Sequence, residues 1–119
     1  MEENQELLLA NTIKLVTNNR LVNYKDMQLF QEALKDKEFN PNFIFEEDGN
    51  TPMHYAFKAL AMYKDIIHIA IVKALLKLDG SLLIKNNENR RPVEEYYNAG
   101  GTKEFLTVAK LKDQVEQEI

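Results

Sequence analysis

Apolar residues along this 119-residue chain recur at helical rather than alternating spacing. Leu7, Leu8, Ile13, Leu15 and Val16 form an imperfect stripe, after which Asn18-Asn19-Arg20 reads as a loop and a second helix is expected from near Asp26. From 65 to 78 the pattern thickens. Ile66, Ile67, Ile69, Ala70, Ile71, Val72, Leu75, Leu76 and Leu78 cover most of a helix circumference and leave Asp65, His68, Lys73 and Lys77 polar. A helix that apolar predicts a central element with neighbours on both flanks. Gly100-Gly101 fits the turn between the last two helices, and the charged stretch Lys110 to Glu118 is expected to continue the final helix as a solvated cap. With four Gly, three Pro and no Ser- or Pro-rich linker, the pattern predicts one all-α domain over 1–119.

The most specific local signal is Asp48-Gly49-Asn50-Thr51-Pro52-Met53-His54-Tyr55-Ala56. Thr51 has the side chain of an N-cap, able to accept from a first-turn amide. Pro52 follows where a missing N–H costs nothing. Gly49 supplies the positive φ of a tight turn just before the cap. A shift of 40 residues superposes Asn42 to Met53 on Leu82 to Val93, placing Pro52 on Pro92 and Ile44 on Ile84.

These residues resemble the ankyrin repeat, whose signature is Asp-x-x-Gly-x-Thr-Pro-Leu-His-x-Ala. Met53 stands for the leucine, and Asp48 lies one residue closer to the glycine than the signature prefers. Ile71-Val72-Lys73-Ala74-Leu75-Leu76 is similar to the Ile-Val-x-x-Leu-Leu of an ankyrin second helix; Leu29 to Leu34 repeats it, and Phe105 to Lys110 does so more weakly. Phe39-Asn40-Pro41-Asn42 occupies the place of the Ala-Asp-Val-Asn that closes a unit. The resemblance implies a short solenoid of three stacked helix–turn–helix units, roughly Asn4 to Asn40, Pro41 to Gly80 and Ser81 to Ile119. The usual period is about 33 residues, so the excess is assigned to Leu60 to Lys64, as a longer first helix or inter-helix loop. The third unit departs from the signature, with Arg91 for Thr, Glu94 for His and Tyr96 for Ala, as a C-terminal cap would. The first lacks Thr-Pro altogether, which fits an N-terminal cap and equally a helical pair of another kind.

A net charge of −4 argues against non-specific binding to nucleic acid or anionic membrane, since Arg90-Arg91 is the sole basic pair. Without cysteine the chain has neither disulfides nor thiolate metal sites, and cytoplasmic residence is expected. The acidic start (Glu2, Glu3, Glu6) and the short apolar run Leu7 to Ala10 lack the pattern of a signal peptide, and no segment reaches transmembrane length.

Chemistry is sparse. By the resemblance, His54 packs at the helix start and bonds the threonine and nearby backbone; two histidines and no cysteine lack the ligand set of a zinc site. His68, without an HExxH partner, is expected at the surface or edge. Glu46-Glu47-Asp48 lacks the ligand spacing of a calcium loop. No phosphate loop or nucleophile elbow is present. No cofactor, metal, small-molecule substrate or enzymatic activity is therefore expected. The acidic tip faces Asn87 to Arg91 of the next turn, where opposite charges either simply meet or form a recognition feature.

Ankyrin proteins bind partner proteins through finger tips and the exposed face of each first helix. Carried onto this chain, the finger contacts are Glu46, Glu47, Asp48 and Asn50, then Asn87, Glu88 and Arg90. The exposed helix positions are Tyr55, Lys58 and Ala59, then Glu95 and Asn98. Tyr55 is either the best anchor or a ring packed on its neighbour with only the hydroxyl exposed; Tyr63 is loop packing or a contact. The expected function is a protein–protein interaction module. The alternative is a small inhibitor or immunity-type protein that blocks an enzyme. Ankyrin proteins of host-associated bacteria often act on host proteins after secretion, and the Lys/Asn-rich composition fits such a source, with the host cytosol as the place of action.

Overall fold

The computed structural model describes residues 4–18 and 23–118, and these contain seven α-helices and no strand. They are α1 (Gln5–Thr17), α2 (Tyr24–Lys35), α3 (Pro52–Tyr63), α4 (Ile66–Lys77), α5 (Pro92–Asn98), α6 (Lys103–Val108) and α7 (Lys112–Glu118). Beyond Asn18, the loop expected over 18–20 lies outside the described residues. None of these helices is long and apolar enough to cross a membrane.

Local chemistry sets where the helices begin and end. Asn4, Asn23, Asp65 and Thr102 are N-caps whose side-chain oxygens accept the N–H of Leu7, Asp26, His68 and Phe105 at 3.2, 2.8, 2.7 and 3.2 Å. Lys64, Asp79, Gly100 and Lys110 take positive φ just past α3, α4, α5 and α6. At three of these ends a six-residue closure satisfies a last-turn carbonyl: Gly80 N–H on Leu75 (3.0 Å), Gly101 on Tyr96 (2.9 Å) and Leu111 on Leu106 (2.9 Å).

Helix α3 is the hub, packing on α1, α4 and α5, while α2 covers α1 and α7 packs on α6. One continuous apolar cluster runs from Leu9 to Val115 and contains Phe30, Phe57, Leu60, Ile71, Leu75, Tyr96 and Leu111. The Cα radius of gyration is 13.4 Å, close to the roughly 13.5 Å of a compact chain this long. Helix α3 has 12 residues and runs to Tyr63, whereas α5 has seven. In α5 the bulky Tyr96 is accommodated by glycine. A Cβ at Gly101 would lie 2.4 Å from its ring, and the hydroxyl donates to the Thr102 carbonyl at 2.6 Å.

Four expectations need correction. In α1 the buried side is Leu9, Ala10, Ile13 and Val16, while Leu7, Leu8 and Leu15 are exposed, because α1 packs on α2 and α3 along one flank only. Helix α4 is less enclosed than its composition predicts: it packs chiefly on α3, burying Ile71, Val72 and Leu75 and leaving Ile66 82% exposed. His68 is not at the surface. It is fully buried, with Nδ1 2.6 Å from Asp65 Oδ1 and its ring 4.9 Å from that of Tyr63 at the end of the lengthened α3. Finally, the C-terminal stretch does not continue α6. The chain turns at Lys110, and α7 is a separate helix that places Leu111 and Val115 in the core.

Candidate functional site

The sequence places two turn-rich segments ahead of the two Pro-started helices, and both fold into short fingers. In the first, Phe45 N–H donates to the Asn50 carbonyl at 2.8 Å and Gly49 takes φ of 73°. In the second, Asn86 N–H donates to the Arg90 carbonyl at 2.9 Å and Asn89 takes φ of 62°. Gly49 and Asn89 are 40 positions apart, as are the acceptors Asn50 and Arg90, so the sequence register reappears where each finger ends; the donors Phe45 and Asn86 are 41 apart, which makes the first finger one residue longer. Asn tolerates the left-handed region better than other non-glycine residues, which is why it can stand where the first finger has Gly.

The fingers touch. Asn87 N–H donates to the Asp48 carbonyl at 3.0 Å, and Asn86 Nδ2 donates to Asn50 Oδ1 at 2.7 Å. A Cβ on Gly49 would sit 2.8 Å from the Asn87 backbone nitrogen, so the approach itself requires glycine. Asn86 also organises its own finger, its Oδ1 accepting from Glu88 N–H and Arg90 N–H, both at 3.0 Å.

His54 ties a helix start to the neighbouring finger. Its Nδ1 accepts Thr51 N–H at 2.9 Å, so the proton sits on Nε2, which donates to the Arg90 carbonyl at 2.9 Å. The Thr51 hydroxyl lies 2.9 Å from Nδ1, and together Thr51 and His54 close a capping box at the start of α3. Burial lowers the His54 pKa below its ordinary 6.5. The first finger is held from the other side by α1. Lys14 Nζ is 3.3 Å from Glu47 Oε1 and lies 5.1 and 4.9 Å from the ring centroids of Phe45 and Tyr55. Phe45 is buried edge-on between Phe43 and Tyr55.

Of the finger residues carried over from the resemblance, Glu46, Glu47, Asn87 and Glu88 are exposed, while Asp48, Asn50 and Arg90 are half-buried and used internally. On the helices only Lys58 and Asn98 are exposed; Tyr55, Ala59 and Glu95 are 9%, 3% and 7% exposed, against the expectation that they face solvent. Tyr55 lies in the small cluster with Ala10 and Phe45, and its hydroxyl donates to the Asp48 carboxylate. Burial, then this bond, raises its pKa. Ala59 belongs to α3, whose two flanks are covered by α1 and α5. Glu95 is drawn inward by the Arg90 guanidinium, which also lies 3.1 Å from Glu88. The charges of the two tips therefore do not meet: Arg90 and Arg91 pair within their own unit, and Glu47 pairs with α1. Tyr63 is a packing residue, its hydroxyl donating to the Asn18 carbonyl at 3.2 Å and its ring lying tilted against that of His68.

Lys14 and Asn86 were missed as organisers. Asn86 carried a signal, since an Asn opening a turn commonly bonds the amides two residues on. Lys14 carried none, because its partners lie 31 to 41 residues downstream in the sequence. Among the described residues every buried side-chain N or O atom has a partner, and no three His, Asp or Glu side chains converge as metal ligands. No protein-family model matches the chain, and no curated protein or solved structure matches it either.

Proposed function

We propose that this chain is an ankyrin-like stack of helical pairs whose fingers and first helices bind a partner protein, without catalysis of its own. The observation that carries the reading is the paired fingers. They are locked by Asn87–Asp48 and Asn86–Asn50 hydrogen bonds, yet the side chains of Glu46 and Asn87 stand exposed and unneeded by the lock, and Glu88, though 3.1 Å from Arg90, is 70% exposed. Rigid backbone with free side chains suits recognition, because little conformational entropy is lost on binding. Lys58 and Asn98 extend the same surface onto α3 and α5. Tyr55 contributes by fixing Asp48 rather than as an exposed anchor.

Affinity capture from the native cell or its host should retain a protein partner. Reversing charge in the triple variant E46K/K58E/E88K should weaken capture at least about tenfold, near 1.4 kcal/mol, with thermal stability unchanged. A partner retained equally by the variant uses another surface. If the partner is an enzyme that loses activity at one-to-one stoichiometry, the protein is an inhibitor; if its activity persists, the protein is a scaffold or adaptor.

A further inference from the structure

A groove of about 820 Å³ opens between the outer flank of α4 and the α6–α7 corner. Ala70, Ala74 and Leu76 contribute its apolar wall, and Lys73, Lys77, Lys110 and Gln114 its polar one. Lys73 and Lys77 are one turn apart on α4, as are Ala70 and Ala74, so cations and small apolar residues run as parallel rows along the helix. Lys110 is fixed across from them. It takes φ of 62°, its N–H donates to the Thr107 carbonyl at 3.1 Å, and the next residue, Leu111, is fully buried.

Among the described residues none of the three lysines pairs with an acid, and no acidic one lines the groove. The groove is therefore cationic within a chain of net charge −4, while the finger cations Arg90 and Arg91 are paired. The small side chains of Ala70 and Ala74 let a second backbone come close, and the 12 residues of α4 offer about 18 Å of track.

We propose that this groove docks an acidic amphipathic helix of a partner protein, with its apolar side on Ala70, Ala74 and Leu76 and its carboxylates on Lys73, Lys77 and Lys110. The three unpaired cations supply the charge complementarity that selects the partner and speeds encounter, and the apolar wall gives the contact area. No residue of this surface belongs to the fingers or to α1, α3 and α5, so it is separate from the finger surface and does not rest on it.

The test uses a fluorescent, end-blocked peptide of about 14 residues, some 20 Å as a helix, with Leu at i, i+3, i+4 and i+7 spacing and Glu elsewhere. The intact protein should bind it, and K77E/K110E should weaken binding at least about tenfold. Both residues are exposed, so the variant should keep its circular dichroism and Tm. Ala70→Leu, also at an exposed position, fills the groove without touching charge and should weaken binding severalfold. The E46K/E88K variant should bind as the parent does. The proposal is overturned if the parent does not bind the peptide, if a Lys-for-Glu version binds as well, or if K77E/K110E binds unchanged. Equal binding of a leucine-free polyglutamate would remove the apolar half of the argument and overturn it too. Lysine-dependent binding to phosphatidylserine vesicles with no binding of the peptide would assign the groove to a membrane surface instead.

Discussion

His54 has both ring nitrogens engaged, and the fold requires its neutral form because Nδ1 must accept from Thr51. Its pKa is lowered in the folded state, so the unfolded chain binds the proton more readily. The stabilisation is complete above about 6.5 and drains away as the pH falls from there toward the lowered folded value. Urea midpoints should therefore drop between pH 7.5 and 5.5, and His54→Gln should be less stable at neutral pH but flatter across that range. An equally steep slope in the variant would assign the effect to other groups. At the finger turns, Gly49→Ala should cost more than about 1 kcal/mol, from positive φ and the contact with Asn87. Asn89→Gly at the equivalent position should stay within about 0.5 kcal/mol; denaturant midpoints give the comparison. The structural role of His54 was readable from Thr-Pro-x-His. The burial of His68 was not, because Tyr63 covers it through a helix end that periodicity alone does not locate.

Among the elements, α3 and α4 concentrate the energetics. Thr51→Ala removes the hydroxyl beside His54 and should cost about 1 kcal/mol. Ile71→Ala empties a fully buried position and should cost about 2–5 kcal/mol. Urea midpoints in the reverse order would show that α4 carries less of the core than its packing indicates. The Pro-started helices, and helix α4 within a residue at each end, were legible because N-caps and proline are local chemistry. The orientation of α1 was not. Its leucines permit more than one apolar side, and contact with α2 and α3 selected Leu9, Ala10, Ile13 and Val16.

Across the whole molecule, the main apolar cluster, continuous from Leu9 to Val115, should make unfolding one cooperative event. Tyrosine near-UV and helical far-UV signals should coincide through a urea titration. Leu111→Ala, at a fully buried position, should shift that transition by about 2–5 kcal/mol without splitting it. A separate early transition in the variant would instead make α6 and α7 an independent unit.

By itself the sequence determined an all-helical chain, the position of both fingers, the helix start at Thr51-Pro52, and the 40-residue register that matches Gly49 to Asn89. Each of these depends on residues within a few positions of one another, where backbone sterics and capping act. Only the tertiary structure decided which polar residues are free. Tyr55 and Glu95 look like surface residues in sequence, but Asp48 and Arg90 draw them inward; Lys73, Lys77 and Lys110, from two distant segments, become neighbours once α7 turns back at Lys110. Burial and ion pairing depend on which segments meet in space, and helical periodicity does not record that.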